Sequence, residues 1–187
     1  MHYTLCDMFS DLTQNSFEAG ADTIFTEFYE TAEKLSVKIQ DNGKGMTEAQ
    51  LKRATDPFYT DGIKHPKRKV GLGIPFLIQT AEMCGGDWNI ESDTGEKSGK
   101  AGGTVLKCSF DLRNIDTPPL GDVSGFFAHI LTFDGKYEMV ITRKSPRLDY
   151  TLRRSELLDA LGLLEAGAFE DARSLNLLRT FLAEQEM

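Results

Sequence analysis

DLTQNSFEAGAD, Asp11 to Asp22, is the first of three segments whose order decides how this chain is read; DNGKGM, Asp41 to Met46, and VGLGIPF, Val70 to Phe76, follow it. The first segment continues a stripe that begins upstream. Leu5, Met8, Phe9, Leu12 and Ser16 recur at helical spacing and Gly20 supplies a stop, so a helix is predicted from Leu5 to Ala19. On it Asp11, Asn15 and Glu18 share a face, with Asp22 beyond them. An Asn amide oxygen is a neutral ligand for a magnesium ion bound to phosphates. A carboxylate one turn away is placed to orient or deprotonate an attacking water. A polar helix face turned to solvent is the alternative reading of the same residues.

Asp41 ends an apolar alternation and opens a DxGxG turn. A carboxylate at a strand end accepts a hydrogen bond from an exocyclic amine such as that of adenine, and Gly43 and Gly45 let the backbone approach a flat ring closely. An ordinary Asn-Gly turn is the competing reading. Gly71 and Gly73 precede a helix, where converging backbone N–H groups favour an anion. Lys64, Lys67, Arg68 and Lys69, just before them, form the densest basic cluster of an otherwise acidic chain and are expected to act as a movable lid. His65, inside that cluster, is expected to be a polar loop residue rather than a catalyst.

Around these segments the pattern predicts further elements. Thr23 to Tyr29 and Leu35 to Gln40 read as an antiparallel pair. Thr47 with Gln50 is a capping-box signature for a short helix to Ala54, Asp56 to Val70 reads as a loop, and Gly73 to Met83 as a helix. Asp87 to Ser92 and Gly103 to Leu112 read as two further strands. This order predicts an α+β fold, a mixed sheet with helices on one face. A domain over 1–115 and a Pro-rich linker over 116–121 are expected, then a small α/β tail module over 122–187. In the tail Val123, Phe126, Phe127, Ile130 and Leu131 predict a helix capped by Asp122, a hairpin across Asp134-Gly135 fitting the spacing less well. Tyr137 to Thr142 and Leu148 to Leu152 read as paired strands. Ser155 is read as the cap of a helix through Leu161, and Ala172, Leu175, Leu178 and Leu182 as the stripe of a last helix from Glu170 to Gln185.

Composition narrows the function classes. With 187 residues, 40% of them hydrophobic, the chain can bury a core, and its net charge of -8 argues against a nucleic-acid surface. Cys6, Cys84 and Cys108 lack CxxC spacing and are expected to be buried free thiols in a reducing compartment. No apolar run reaches the roughly 18 residues of a membrane span, and MHYTLCDMFSD lacks the layout of a signal peptide. A cytoplasmic protein that meets no membrane is expected.

The set resembles the GHKL superfamily, the Bergerat-fold ATPases, an α/β sandwich found in histidine kinases, gyrase B subunits and mismatch-repair ATPases. DLTQNSFEAGAD is similar to their N box, DNGKGM to the G1 box, DPFYT (Asp56 to Thr60) to the F box of histidine kinases and VGLGIPFL to the G2 box. GGDWNIES followed by GGTVLKCSF resembles the closing strands of histidine-kinase catalytic domains. The resemblance covers nearly all of Met1 to Arg113. It implies ATP and Mg2+ as ligands, Asn15 on the metal, Asp41 on the adenine amine and Thr104 in the polar network around the base. Gly43, Gly45, Met46, Lys69, Gly71, Leu72 and Gly73 complete the implied nucleotide-binding set, and Asp11 stands where hydrolysing members carry a catalytic glutamate. Asp11 is one methylene shorter, so hydrolysis is expected to be slow or absent. Glu18 stands where histidine kinases often carry a basic residue, closer to the mismatch-repair pattern. His2, His65 and His129 match no phosphoacceptor motif, so the chain is expected not to be a complete sensor kinase. The resemblance leaves two functions, an ATPase or protein kinase-like regulator, or a non-catalytic ATP-dependent switch for a protein partner.

Overall fold

The structure is a computed structural model describing residues 4–56, 73–96, 102–163 and 168–187. Helix α1 (Leu5–Glu18) starts at Thr4, whose hydroxyl accepts from the Asp7 N–H while the Asp7 carboxylate accepts from the Thr4 N–H. Strands β1 (Thr23–Glu30) and β2 (Lys34–Asp41) pair antiparallel as the alternation predicts. Helix α2 (Glu48–Thr55) carries the expected capping box of Thr47 and Gln50. Helix α3 (Gly73–Met83) and strands β3 (Trp88–Asp93) and β4 (Gly103–Asp111) follow. The expected loop from Asp56 onward, with the basic cluster, His65 and most of the DPFYT segment, lies outside the described residues from 57 to 72.

Helix α4 (Val123–Leu131) is capped by Asp122, which accepts from the Gly125 N–H at 2.8 Å, and the alternative hairpin is absent there. Strands β5 (Glu138–Lys144) and β6 (Asp149–Arg153) pair antiparallel. Helices α5 (Arg154–Leu161) and α6 (Ala172–Gln185) close the chain. Ser155 does not cap α5. The helix starts at Arg154, and the residue before it, Arg153, makes no capping side-chain bond. On α6 the buried stripe is Ser174, Leu178 and Leu182; Ala172 is exposed and Leu175 half-buried.

The strands form one six-stranded sheet in the order β3-β4-β2-β1-β5-β6. β5 joins β1 in parallel, with Ile24 opposite Met139 and Thr26 opposite Ile141, so residues after the Pro-Pro pair extend the same sheet. Period-two alternation places Ile24 and Phe28 of β1, Leu35, Val37 and Ile39 of β2, and Leu106, Cys108 and Phe110 of β4 on the inner face. They share one core with Leu5, Phe9 and Leu12 of α1, Leu77 and Ala81 of α3, and Phe126 and Phe127 of α4. Phe9 and Phe28 meet edge to face at 5.9 Å, and Phe28 meets Phe127 at the same distance, joining both halves of the chain. Phe25 and Tyr29 on the outer face are half-open to solvent. This is the mixed α+β arrangement expected. Residues 116–121 are fastened rather than free: Pro119 O and Leu120 O accept from the Leu5 and Cys6 N–H groups, satisfying donors at the start of α1.

At the opposite end of the sheet from Asp41, the buried Arg143 donates to Glu30 at 2.5 Å and to Glu186 at 3.2 Å, and Tyr150 donates to Glu186. This pairing ties the end of α6 to β5 and β6. All three cysteines are buried and free. Burial pushes the Cys6 thiol up to about 12 and raises that of Cys108 as well. Native protein at pH 8 is therefore expected to react with a thiol reagent far more slowly than unfolded protein, at all three sites. Rapid labelling of the native chain would show the thiols exposed. Among the described residues no helix is long and apolar enough to cross a membrane.

Candidate nucleotide site

Asp41 is the last residue of β2 and falls on its inner face, in phase with Leu35, Val37 and Ile39. A carboxylate there lies under α1 and is 7% exposed, so it needs hydrogen-bond partners. Its Oδ1 accepts from the Gly43 N–H at 3.0 Å and the Thr104 N–H at 3.2 Å. Its Oδ2 accepts from the Ser16 hydroxyl at 2.7 Å. Ser16 lies on the buried stripe of α1, immediately after Asn15. These donors fix the plane of the carboxylate and leave Oδ2 with acceptor capacity for one further N–H.

The DNGKGM turn is held by backbone and by Asn42. The Asn42 amide oxygen accepts from the Asp22 and Thr23 N–H groups at 3.1 and 3.0 Å, and its NH2 donates to Asp22 at 2.7 Å. Hydrogen bonds from Asn42 and Thr23 hold the Asp22 carboxyl below the usual carboxylate range. Lys44 N–H donates to Ala19 O at 3.1 Å, anchoring the turn to the end of α1. Gly45 has φ +63, and a Cβ there would lie 1.9 Å from Asp93 O. Glycine at this position is thus imposed by the close passage of β3.

Across the turn, the Ser92 hydroxyl accepts from the Met46 N–H at 2.8 Å, lies 3.1 Å from Gly103 O and 2.8 Å from the Thr104 hydroxyl. With Ser92 donating to Gly103 O, the Thr104 hydroxyl donates to Ser92. Thr104 opposes Asp41 in the β2–β4 register, so its side chain is held beside the carboxylate.

Asp11 and Asn15 stand exposed along the edge of α1 next to Ser16. Gly73, the first residue of α3, faces this edge: a Cβ on it would meet Asn15 Nδ2 at 3.7 Å and Leu12 at 3.5 Å. The structure thus brings Asp41, Gly43, Gly45, Met46 and Thr104 around one turn and sets Asn15 and Gly73 side by side. Lys69, Gly71 and Leu72 lie outside the described residues. Sequence reasoning gave no role to Ser16 or Ser92. The signal for Ser16 was a lone small hydroxyl on an apolar stripe one residue after Asn15; Ser92 is visible only through its register with Thr104.

This geometry defines a class: an α/β sandwich in which an inner strand presents an oriented buried carboxylate beneath a helix that bears an amide, Asn15, next to the serine bonded to that carboxylate. The chain belongs to the family of histidine kinase-, DNA gyrase B-, and HSP90-like ATPases, whose model matches residues 3–114, and it carries a GHKL-type ATP-binding domain of Bergerat fold. It is 31% identical over 98 residues to sporulation kinase C of Bacillus subtilis (strain 168), covering 50% of this chain and 22% of that protein. It is 25% identical over 115 residues to the sensor histidine kinase SpaK of Bacillus subtilis, covering 61% and 23%. The chain therefore spans less than a quarter of the length of these relatives. Among solved structures it is similar to the Aquifex aeolicus MutL ATPase domain complexed with ADP, at 14% identity and a TM-score of 0.48, over 87% of this chain and 70% of that one.

The hydrogen bond from Ser16 is expected to tune the site rather than make it. Ser16→Ala removes one of three donors to Asp41 and should weaken ATP binding by about 1 kcal/mol, roughly fivefold in a calorimetric titration. Undiminished affinity would mean that Ser16 does not orient the carboxylate.

Proposed function

We propose that the chain binds Mg-ATP with the adenine amine on Asp41 Oδ2, Thr104 beside the base and Asn15 supplying one oxygen to the magnesium ion. The observation that carries this reading is the Asp41 carboxylate, buried and oriented by Ser16, Gly43 and Thr104. Gly43 and Gly45 let the turn after Asp41 pack closely against Ala19 and Asp93, and Gly73 brings the start of α3 to Asn15. An amide oxygen with a carboxylate one turn away suits a hard cation that keeps several waters. The bound ion would neutralise phosphate charge, while Asp11 would orient a water towards the γ-phosphate.

On this reading the protein is a stand-alone ATPase or a protein kinase-like regulator acting on a separate protein. The shorter side chain of Asp11 favours a second reading, in which ATP is bound and held and the bound state recognises a protein partner. Phosphate release from purified protein with Mg-ATP separates the two. Turnover that disappears in Asp11→Asn and Asn15→Ala supports the enzyme. Saturable ATP binding without turnover, and without labelling of any protein in extract, supports the switch. No binding of ATP at all would sink both.

A further inference from the structure

We propose that residues 132–138 form a clasp that sets the geometry of the nucleotide pocket from behind, with Phe17 and Arg154 as positioning residues for nucleotide binding. The inference rests on the reading of Asp41 as the base-binding group. Phe17 follows Asn15 and Ser16 on the last turn of α1. Its ring meets those of Tyr137 and Phe133, each at 5.2 Å between centroids. Gly135 passes so close that a Cβ on it would lie 3.0 Å from Phe17 Cζ. These three partners lie beyond residue 114, where the family match ends.

The clasp is internally braced. The Tyr137 hydroxyl donates to Ile130 O at 2.7 Å and accepts from the Phe133 N–H at 3.1 Å. Beneath it Arg154, 1% exposed, donates to Leu131 O at 3.1 Å, Tyr137 O at 3.2 Å and Gly135 O at 3.5 Å. Its guanidinium carbon lies 4.4 Å from the Tyr137 ring centroid. A buried guanidinium placed on these carbonyls fixes the path of the segment, because its bonds to Leu131 O and Tyr137 O are buried and Arg154 needs acceptors there. The clasp also reaches the second side of the pocket. Glu138 N–H donates to Asp22 O at 2.7 Å, and the Asp22 carboxylate is bonded to Asn42 in the turn after Asp41.

The segment therefore holds two of the three parts that orient Asp41, the helical turn bearing Ser16 and the turn bearing Gly43; the third, Thr104, lies on β4. A displacement of α1 by about 0.5 Å takes the Ser16–Asp41 bond to the edge of the hydrogen-bonding range. By linkage, a nucleotide that needs this alignment stiffens the clasp in return.

The test measures affinity of the full chain for a non-hydrolysable ATP analogue, with melting temperatures recorded for every variant. Phe17→Leu and Arg154→Lys are expected to weaken binding about tenfold. Leu182→Val, a core change on α6 remote from the pocket, is expected to lower the melting temperature while holding affinity within about twofold of wild type. On wild-type protein the analogue is expected to slow hydrogen exchange at the Phe133, Tyr137 and Glu138 amides, a readout independent of whether Arg154→Lys folds. Clasp variants that bind like wild type, a control that loses affinity equally, or unchanged exchange at these amides each overturn the proposal. Asp41→Asn is measured in parallel: if it binds like wild type, the base-binding assignment itself fails, whereas its loss with intact clasp variants refutes the clasp alone.

Discussion

Exchanging Asp41 for Asn is expected to weaken ATP binding by about 1–3 kcal/mol, roughly 5- to 150-fold, with little change in melting temperature. Oδ1 of Asp41 is fixed by two backbone donors, Gly43 and Thr104, so an asparagine places its carbonyl oxygen there and its NH2 where Oδ2 stood. Ser16 can turn a lone pair towards that NH2. The exocyclic amine of adenine cannot, and donor then faces donor in a buried site. A base with a carbonyl at that position accepts from the same NH2, so the ratio of ATP to GTP affinity should fall as well. Titration calorimetry of both nucleotides measures the two effects together. Unchanged ATP affinity would remove the assignment of Asp41 to the base.

Gly103→Ala is expected to cost about 3–5 kcal/mol of stability and to lower the melting temperature by roughly 6–20 °C, taking ATP binding with it. Gly103 has φ +151, and an added Cβ would lie 2.2 Å from Asp41 O and 3.2 Å from Asn42 Cα. Both obstacles are backbone, so relief requires moving the strand end that carries Asp41. Gly20→Ala is the instructive contrast: φ is +77 but nothing lies within 4 Å, so only the backbone conformation is penalised, about 1 kcal/mol. A Gly103→Ala protein melting within about 2 °C of wild type would show that the β2–β4 contact accommodates a methyl group at little cost.

Much of the half bearing the site was legible because its determinants are local. The stripe of α1, the Thr47–Gln50 capping box and the β1–β2 alternation each occupy a short window, and the structure has them where the pattern predicts. The inner-face position of Asp41 follows from the phase of Leu35, Val37 and Ile39 alone. Partner choice was not legible. Nothing near Tyr137 announces that β5 will lie parallel to β1, more than a hundred residues away, because parallel pairing carries no turn signal. The boundary of α5 was missed for a related reason. Ser155 has the chemistry of a cap, but burial of the Arg154 side chain on the carbonyls of Leu131 and Tyr137 accompanies a helix start two residues earlier, with Arg153 at the cap position. Buried cations of this kind read as surface charge until their partners are known. At the site, Ser16 and Ser92 were missed because a hydroxyl gains its role from what it faces.

On the proposed function, one oriented carboxylate seats the purine. A crystal structure of the chain with a non-hydrolysable ATP analogue and magnesium tests it most directly. The adenine amine is expected within hydrogen-bond distance of Asp41 Oδ2, with the Thr104 hydroxyl in the polar contacts of the base and Asn15 Oδ1 on the metal. A nucleotide bound elsewhere, or the space beside Asp41 filled by the protein's own side chains at saturating analogue, would contradict it.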